Sequence, residues 1–186
     1  MSLHSTPSHV VEASSSSIYV GIFQDETVLT FLTILSRLGT TCLQQIMEIA
    51  LDIARESKKR GWQQNLEIGL KSISTWDDQI KKEECDMAQR TYKNIKTLYK
   101  YTVLCYIRKT NKKRKNFHIS VEIPPFSTFL HTFYVNLAEH PDASAFAQDK
   151  LTYVERQYIL MDIIRNTLHL ITSDIVSEHS LGGEGK

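Results

Sequence analysis

Proline and glycine are scarce, four and seven in 186 residues, which excludes a collagen or mucin chain. Cysteine is scarcer still. Three residues, Cys42, Cys85 and Cys105, cannot staple a disulfide miniprotein, and their spacings match no CxxC or zinc pattern. No apolar run approaches the ~18 residues of a membrane span. A net charge is almost lacking too: 22 lysines and arginines stand against 21 aspartates and glutamates. What remains, 41% apolar and 23% charged, is an ordinary globular composition on a length that suits one domain with its own core. It also excludes wholesale disorder.

The near-zero charge conceals a segregation. Residues 1–86 hold 8 basic and 12 acidic side chains, residues 87–121 hold 10 basic and none acidic, and residues 122–186 hold 4 basic and 9 acidic. A one-signed block on a neutral chain points either to an acidic partner or to neutralisation by its own flanks. The block is densest at 108–115, where Arg108, Lys109, Lys112, Lys113, Arg114 and Lys115 make six cations in eight residues. These six are the candidate partner-binding residues. The bland alternative is a solvated helix end whose lysines complement the helix dipole.

Periodicity predicts a mainly α fold: a single helical domain over residues 18–180, with flexible tails at 1–17 and 181–186. The first tail carries a serine run at 14–17 and no signal-peptide layout, and Ser2 stands where myristoylation needs glycine. Asp25 is a fair N-cap for an apolar helix that Gly39, Thr40 and Thr41 weaken or break. Apolar residues resume at helical steps from Leu43 to Ala54, and residues 62–73 predict one turn of helix. Ser74-Thr75-Trp76-Asp77 fits a capping box. Ile80, Met87, Thr91, Ile95, Leu98, Thr102 and Tyr106 then predict one long helix over 75–109. On it Cys85 and Cys105 would stand about 30 Å apart, beyond disulfide reach. All three thiols are therefore expected reduced, at least two of them as core filler. Residues 117–123 alternate like a strand and end at Pro124-Pro125. A helix over 126–137, a loop over 141–150, a second capping box at Thr152-Tyr153-Val154-Glu155 and a helix through Ile171 complete the pattern, and Ser173-Asp174 is read as the start of a last short helix.

Chemistry is sparse. The seven histidines form no HExxH and no Cys/His cluster, and there is no GxxxxGK[ST], GxGxxG or GxSxG. Acids in the first turns of a helix, such as Asp77 and Asp78, answer to its dipole. The chain is accordingly read as non-catalytic, with no cofactor and no metal.

Three pieces carry a resemblance. The first is Ile73-Ser74-Thr75-Trp76-Asp77-Asp78-Gln79-Ile80. The second is Ile123-Pro124-Pro125-Phe126 leading into Phe129-Leu130-His131-Thr132-Phe133-Tyr134-Val135-Asn136. The third is Arg156-Gln157-Tyr158 opening a helix that closes on Ile175-Val176-Ser177-Glu178-His179-Ser180-Leu181-Gly182. In order and spacing over 66–182 the chain resembles a family of virion-associated proteins of nucleocytoplasmic large DNA viruses, the giant viruses. It departs where the family carries an asparagine-proline-tyrosine element and this chain reads His140-Pro141-Asp142-Ala143, and it lacks a closing proline-valine-lysine piece. The resemblance implies a minor capsid or virion component, made in the reducing host cytoplasm, whose partners are the major capsid protein and other virion proteins. A nucleic-acid or nucleoprotein-binding module using 108–115 is the alternative.

Overall fold

An aromatic cluster joins three helices at the centre of the molecule. The computed structural model describes residues 24–57, 61–110 and 122–180. Among these, the fold is all helix: α1 (Glu26–Ser57), α2 (Trp62–Ser72), a 3-10 turn (Ile73–Thr75), α3 (Asp78–Thr91), α4 (Ile95–Thr110), α5 (Phe126–Glu139), α6 (Ala143–Ala147) and α7 (Tyr153–Ser180). Phe31 of α1, Tyr99 of α4 and Phe129 of α5 meet with ring centroids 4.8–6.1 Å apart, and Phe126 stacks beside them. Around them α5 packs against α1, α2, α3, α6 and α7, so the most apolar helix is also the most enclosed.

Local chemistry explains most boundaries. The Asp25 carboxylate accepts from the Thr27 and Val28 amides and caps α1 as expected. Thr152 and Glu155 form the reciprocal bonds of a capping box at the start of α7. The other predicted box is displaced: Asp77 itself caps α3, accepting from Ile80 N at 2.8 Å, while Ser74 and Thr75 belong to the 3-10 turn and bond back to Lys71 and Ser72.

Several expectations are corrected. The single helix over 75–109 is two, α3 and α4, separated by Tyr92, Lys93 and Asn94. Tyr92 leaves helical geometry at φ −127°, ψ 85°, and the Asn94 carbonyl accepts the first bond of α4 from Leu98 N. Asparagine at that position favours starting a helix over continuing one. Gly39 does not break α1. A Cβ there would lie 2.8 Å from Leu137 and 3.0 Å from Phe133, so the glycine lets α5 approach closely. Residues 62–72 form a full helix, α2, rather than one turn, and Ile73 opens the 3-10 turn; the 141–150 loop contains α6, and α7 runs on through Ser173 without a new start. Of the strand expected over 117–123, only Glu122 and Ile123 are among the described residues, and they are not in a strand. Both tails lie outside the described residues.

Candidate functional site

α4 buries one face and charges another. Ile95, Tyr99, Thr102, Val103, Tyr106 and Ile107 point into the core. Lys96, Lys100 and Arg108 are exposed, with half-buried Leu104 between them, each four residues from the next. Steps of four lie one above another on a helix, so the row runs about 18 Å along the surface.

Among the described residues, Lys93, Lys96, Lys100 and Arg108 have no carboxylate within ion-pair distance. The ion pairs that do form, such as Arg55 with Asp52 and Arg156 with Asp149, lie in the acidic flanks. Among the described cations of the block, Lys109 is the one whose charge acts on a carboxyl of the acidic flank, that of Asp25. That carboxyl is held below its ordinary range, first by the hydroxyl of Tyr101, which donates to it at 2.8 Å, and then by the Val28 amide.

At the foot of the row lies a groove of two lobes. One, of about 610 Å³, opens between Lys96, Lys100 and the segment from Glu122 to Ser127. The other, of about 420 Å³, runs under α3 past Lys81, Lys82 and His131. Cys85, Lys96 and Ser127 line both. The segment that walls the first lobe is held by the Tyr99 hydroxyl, which donates to the Pro124 carbonyl at 2.9 Å. Asp78, Asp86 and Glu122 also line the groove, so its charge is mixed, whereas the row above it is of one sign.

The reactive side chains near the groove are spoken for. Burial pushes the Cys85 thiol above its ordinary range, and Gln89 Nε2 sits 3.1 Å from its sulfur. A protonated thiol is a poor nucleophile. Cys42 is pushed up to about 12, again by burial first. All three cysteines are free thiols, Cys42 and Cys85 buried, as a core-filler role requires. His131 Nε2 bonds the Ile73 carbonyl at 2.9 Å and its ring packs beside Trp76, which makes it a brace between α5 and the 3-10 turn. Among the described residues no three of His, Cys, Asp and Glu converge as a metal site would need, and no helix is long and apolar enough to cross a membrane.

Of the six cations expected to bind a partner, Arg108 and Lys109 occupy the last turn of α4, Arg108 exposed and Lys109 half-buried. Lys112, Lys113, Arg114 and Lys115 lie outside the described residues. Lys96 and Lys100 complete the row with Arg108, yet dispersed lysines do not stand out beside a contiguous run. The usable signal was their spacing of four in a stretch without acids. Comparison of the chain with protein-family models, with curated proteins and with solved structures finds no match.

Proposed function

We propose that this chain is a non-catalytic structural protein of a virion, a minor capsid component that makes protein–protein contacts beneath or between major capsid subunits. The observation that carries the contact role is the unpaired basic row of α4, continued in sequence by Lys112 to Lys115. Three cations on one helical surface, Lys96, Lys100 and Arg108, with no carboxylate within ion-pair distance among the described residues, are a stock of charge that an acidic protein face would neutralise. The virion setting rests on the sequence resemblance over 66–182. Free buried thiols suit a protein that matures in a reducing host cytoplasm.

The same row would also hold phosphates, which keeps nucleic acid as the second reading. The row offers no exposed aromatic ring for base stacking. Tyr101 is exposed on α4 but is not one of the row's residues, and its hydroxyl donates to Asp25. Proteomics of purified particles after nuclease treatment and stepwise shell disassembly separates the two. Retention with the shell after nuclease supports the capsid role. Loss with the genome, together with steeply salt-dependent DNA binding, supports the alternative.

A further inference from the structure

Two rows of like charge stand on the described surface, each with the spacing of a single helical ridge. The basic row is Lys96, Lys100 and Arg108 of α4, with Leu104 half-buried in its middle. The acidic row is Glu48, Asp52 and Glu56, all exposed, on the last turns of α1. Ile49 and Ile53 flank the acids and are 58% and 45% exposed, unusual for isoleucine. Like charges four apart on a helix repel by roughly 0.2–0.5 kcal/mol per pair. Each row therefore weakens its own helix in the isolated chain, and an opposite row would remove that cost. Elsewhere among the described residues Asp78 pairs with Lys81, and Asp162 with Arg165. Asp52 does carry Arg55 at 2.9 Å, but this is an exposed pair of the kind that is worth little and is readily exchanged.

The two rows cannot meet within one molecule. α1 and α4 run antiparallel, since Asp25 faces Tyr101 and Lys109 while Phe31 meets Tyr99. Glu48 lies seventeen residues beyond Phe31, about 25 Å further along α1, whereas α4 begins only four residues, about 6 Å, before Tyr99. The acidic row thus projects past the end of α4.

We propose that the acidic row of one copy docks on the basic row of a second copy, with Ile49 and Ile53 packing against Leu104. The sign, the spacing of four and the apolar residues beside both rows match each other. The contact is head-to-tail, so each molecule keeps one open row of either sign, and association continues until a ring closes or a chain extends. The proposal rests on the reading of the α4 row as a contact face and names a second copy as its partner.

The test uses the full chain and two charge-reversed variants, Lys96→Glu with Lys100→Glu and Glu48→Lys with Asp52→Lys. These acids are the two furthest in sequence from Lys58, Lys59 and Arg60. Circular dichroism and thermal melts establish that both variants fold. In sedimentation velocity, the wild type is expected to associate with rising concentration at low salt and to return to monomer at high salt. Each variant alone should stay monomeric. An equimolar mixture should associate again, because one variant then carries two acidic rows and the other two basic rows. A wild type that is monomeric at every concentration, or a mixture that stays monomeric, overturns the proposal. So does a wild type that associates only when a DNA duplex is added, which would make nucleic acid the occupant. Particle incorporation is scored separately. If Lys96→Glu with Lys100→Glu abolishes incorporation while the wild type is monomeric, the capsid reading stands and the self-contact falls. If self-association behaves as expected but both variants enter particles normally, the self-contact stands and the capsid reading of the row falls.

Discussion

Thr102 is a polar atom out of place. It is fully buried on α4, and its hydroxyl finds no hydrogen-bond partner among the described residues. An unsatisfied buried hydroxyl costs on the order of 1–3 kcal/mol. Thr102→Val should therefore stabilise the fold by about 1 kcal/mol, read as an upward shift in thermal midpoint. Glu84 is a second cost. It is half-buried beside Glu83, and burial first, then that neighbour, raises its carboxyl above the ordinary value. A carboxyl raised in the folded state adds stability only while it is protonated, and loses it as pH rises from the unfolded to the folded value. Glu84→Gln should thus raise the thermal midpoint at pH 7. The gain should vanish below about pH 4, where the acid is protonated folded or unfolded. A gain that is independent of pH would mean that the charge is not the cause.

At the scale of the helix, close approach decides what propensity does not. Gly39→Ala adds about 1 kcal/mol of helix propensity but drives a methyl into Leu137 and Phe133. Overpacking costs about 1–3 kcal/mol, so the variant should melt lower, not higher. Asp77→Ala should cost about 1 kcal/mol through the lost cap of α3, while Ser74→Ala should cost much less, since its hydroxyl only bonds back to Lys71. These helices differ in how far they could be read in advance. α5 and the starts of α1 and α7 follow from apolar spacing and from Asp25 and Thr152 as caps, whereas the continuity of α1 past Gly39 and of α7 past Ser173 does not. The gap between α3 and α4 does not, because Met87, Thr91, Ile95, Leu98, Thr102 and Tyr106 keep their steps of three and four straight through it. Only Asn94 marked a new start, and one asparagine weighs little against six periodic residues. α6, five residues long, is shorter than any window in which periodicity can be counted. The basic row was half legible: Arg108 stood in a conspicuous run, while Lys96 and Lys100 gain meaning only once Ile95, Tyr99 and Val103 are known to turn the adjoining face inward.

At the scale of the whole molecule, α4 carries core and charge on different sides: Ile95, Tyr99, Val103, Tyr106 and Ile107 are buried, while Lys96, Lys100 and Arg108 are exposed. Replacing Lys112, Lys113, Arg114 and Lys115 by alanine should leave the melt nearly unchanged, since lysine and arginine are seldom fully buried and surface charges as a class contribute only about 0–1 kcal/mol each. The same change should weaken particle incorporation, most at low salt. Unfolding of that variant would instead place the charges in pairs with the acidic flanks of their own chain.

The aromatic cluster has one more consequence. Phe31 and Tyr99 precede residues 111–121 in the chain, whereas Phe126 and Phe129 follow them, and the Tyr99–Pro124 bond spans the same interval. The core is therefore stitched across this interval by packing as well as by the peptide chain. A molecule nicked once within 111–121 should remain a two-fragment complex that migrates as one species under native conditions and as two after denaturation. Each fragment would act as the template on which the other completes its fold, so the two halves are natural candidates for reconstitution from separately produced pieces.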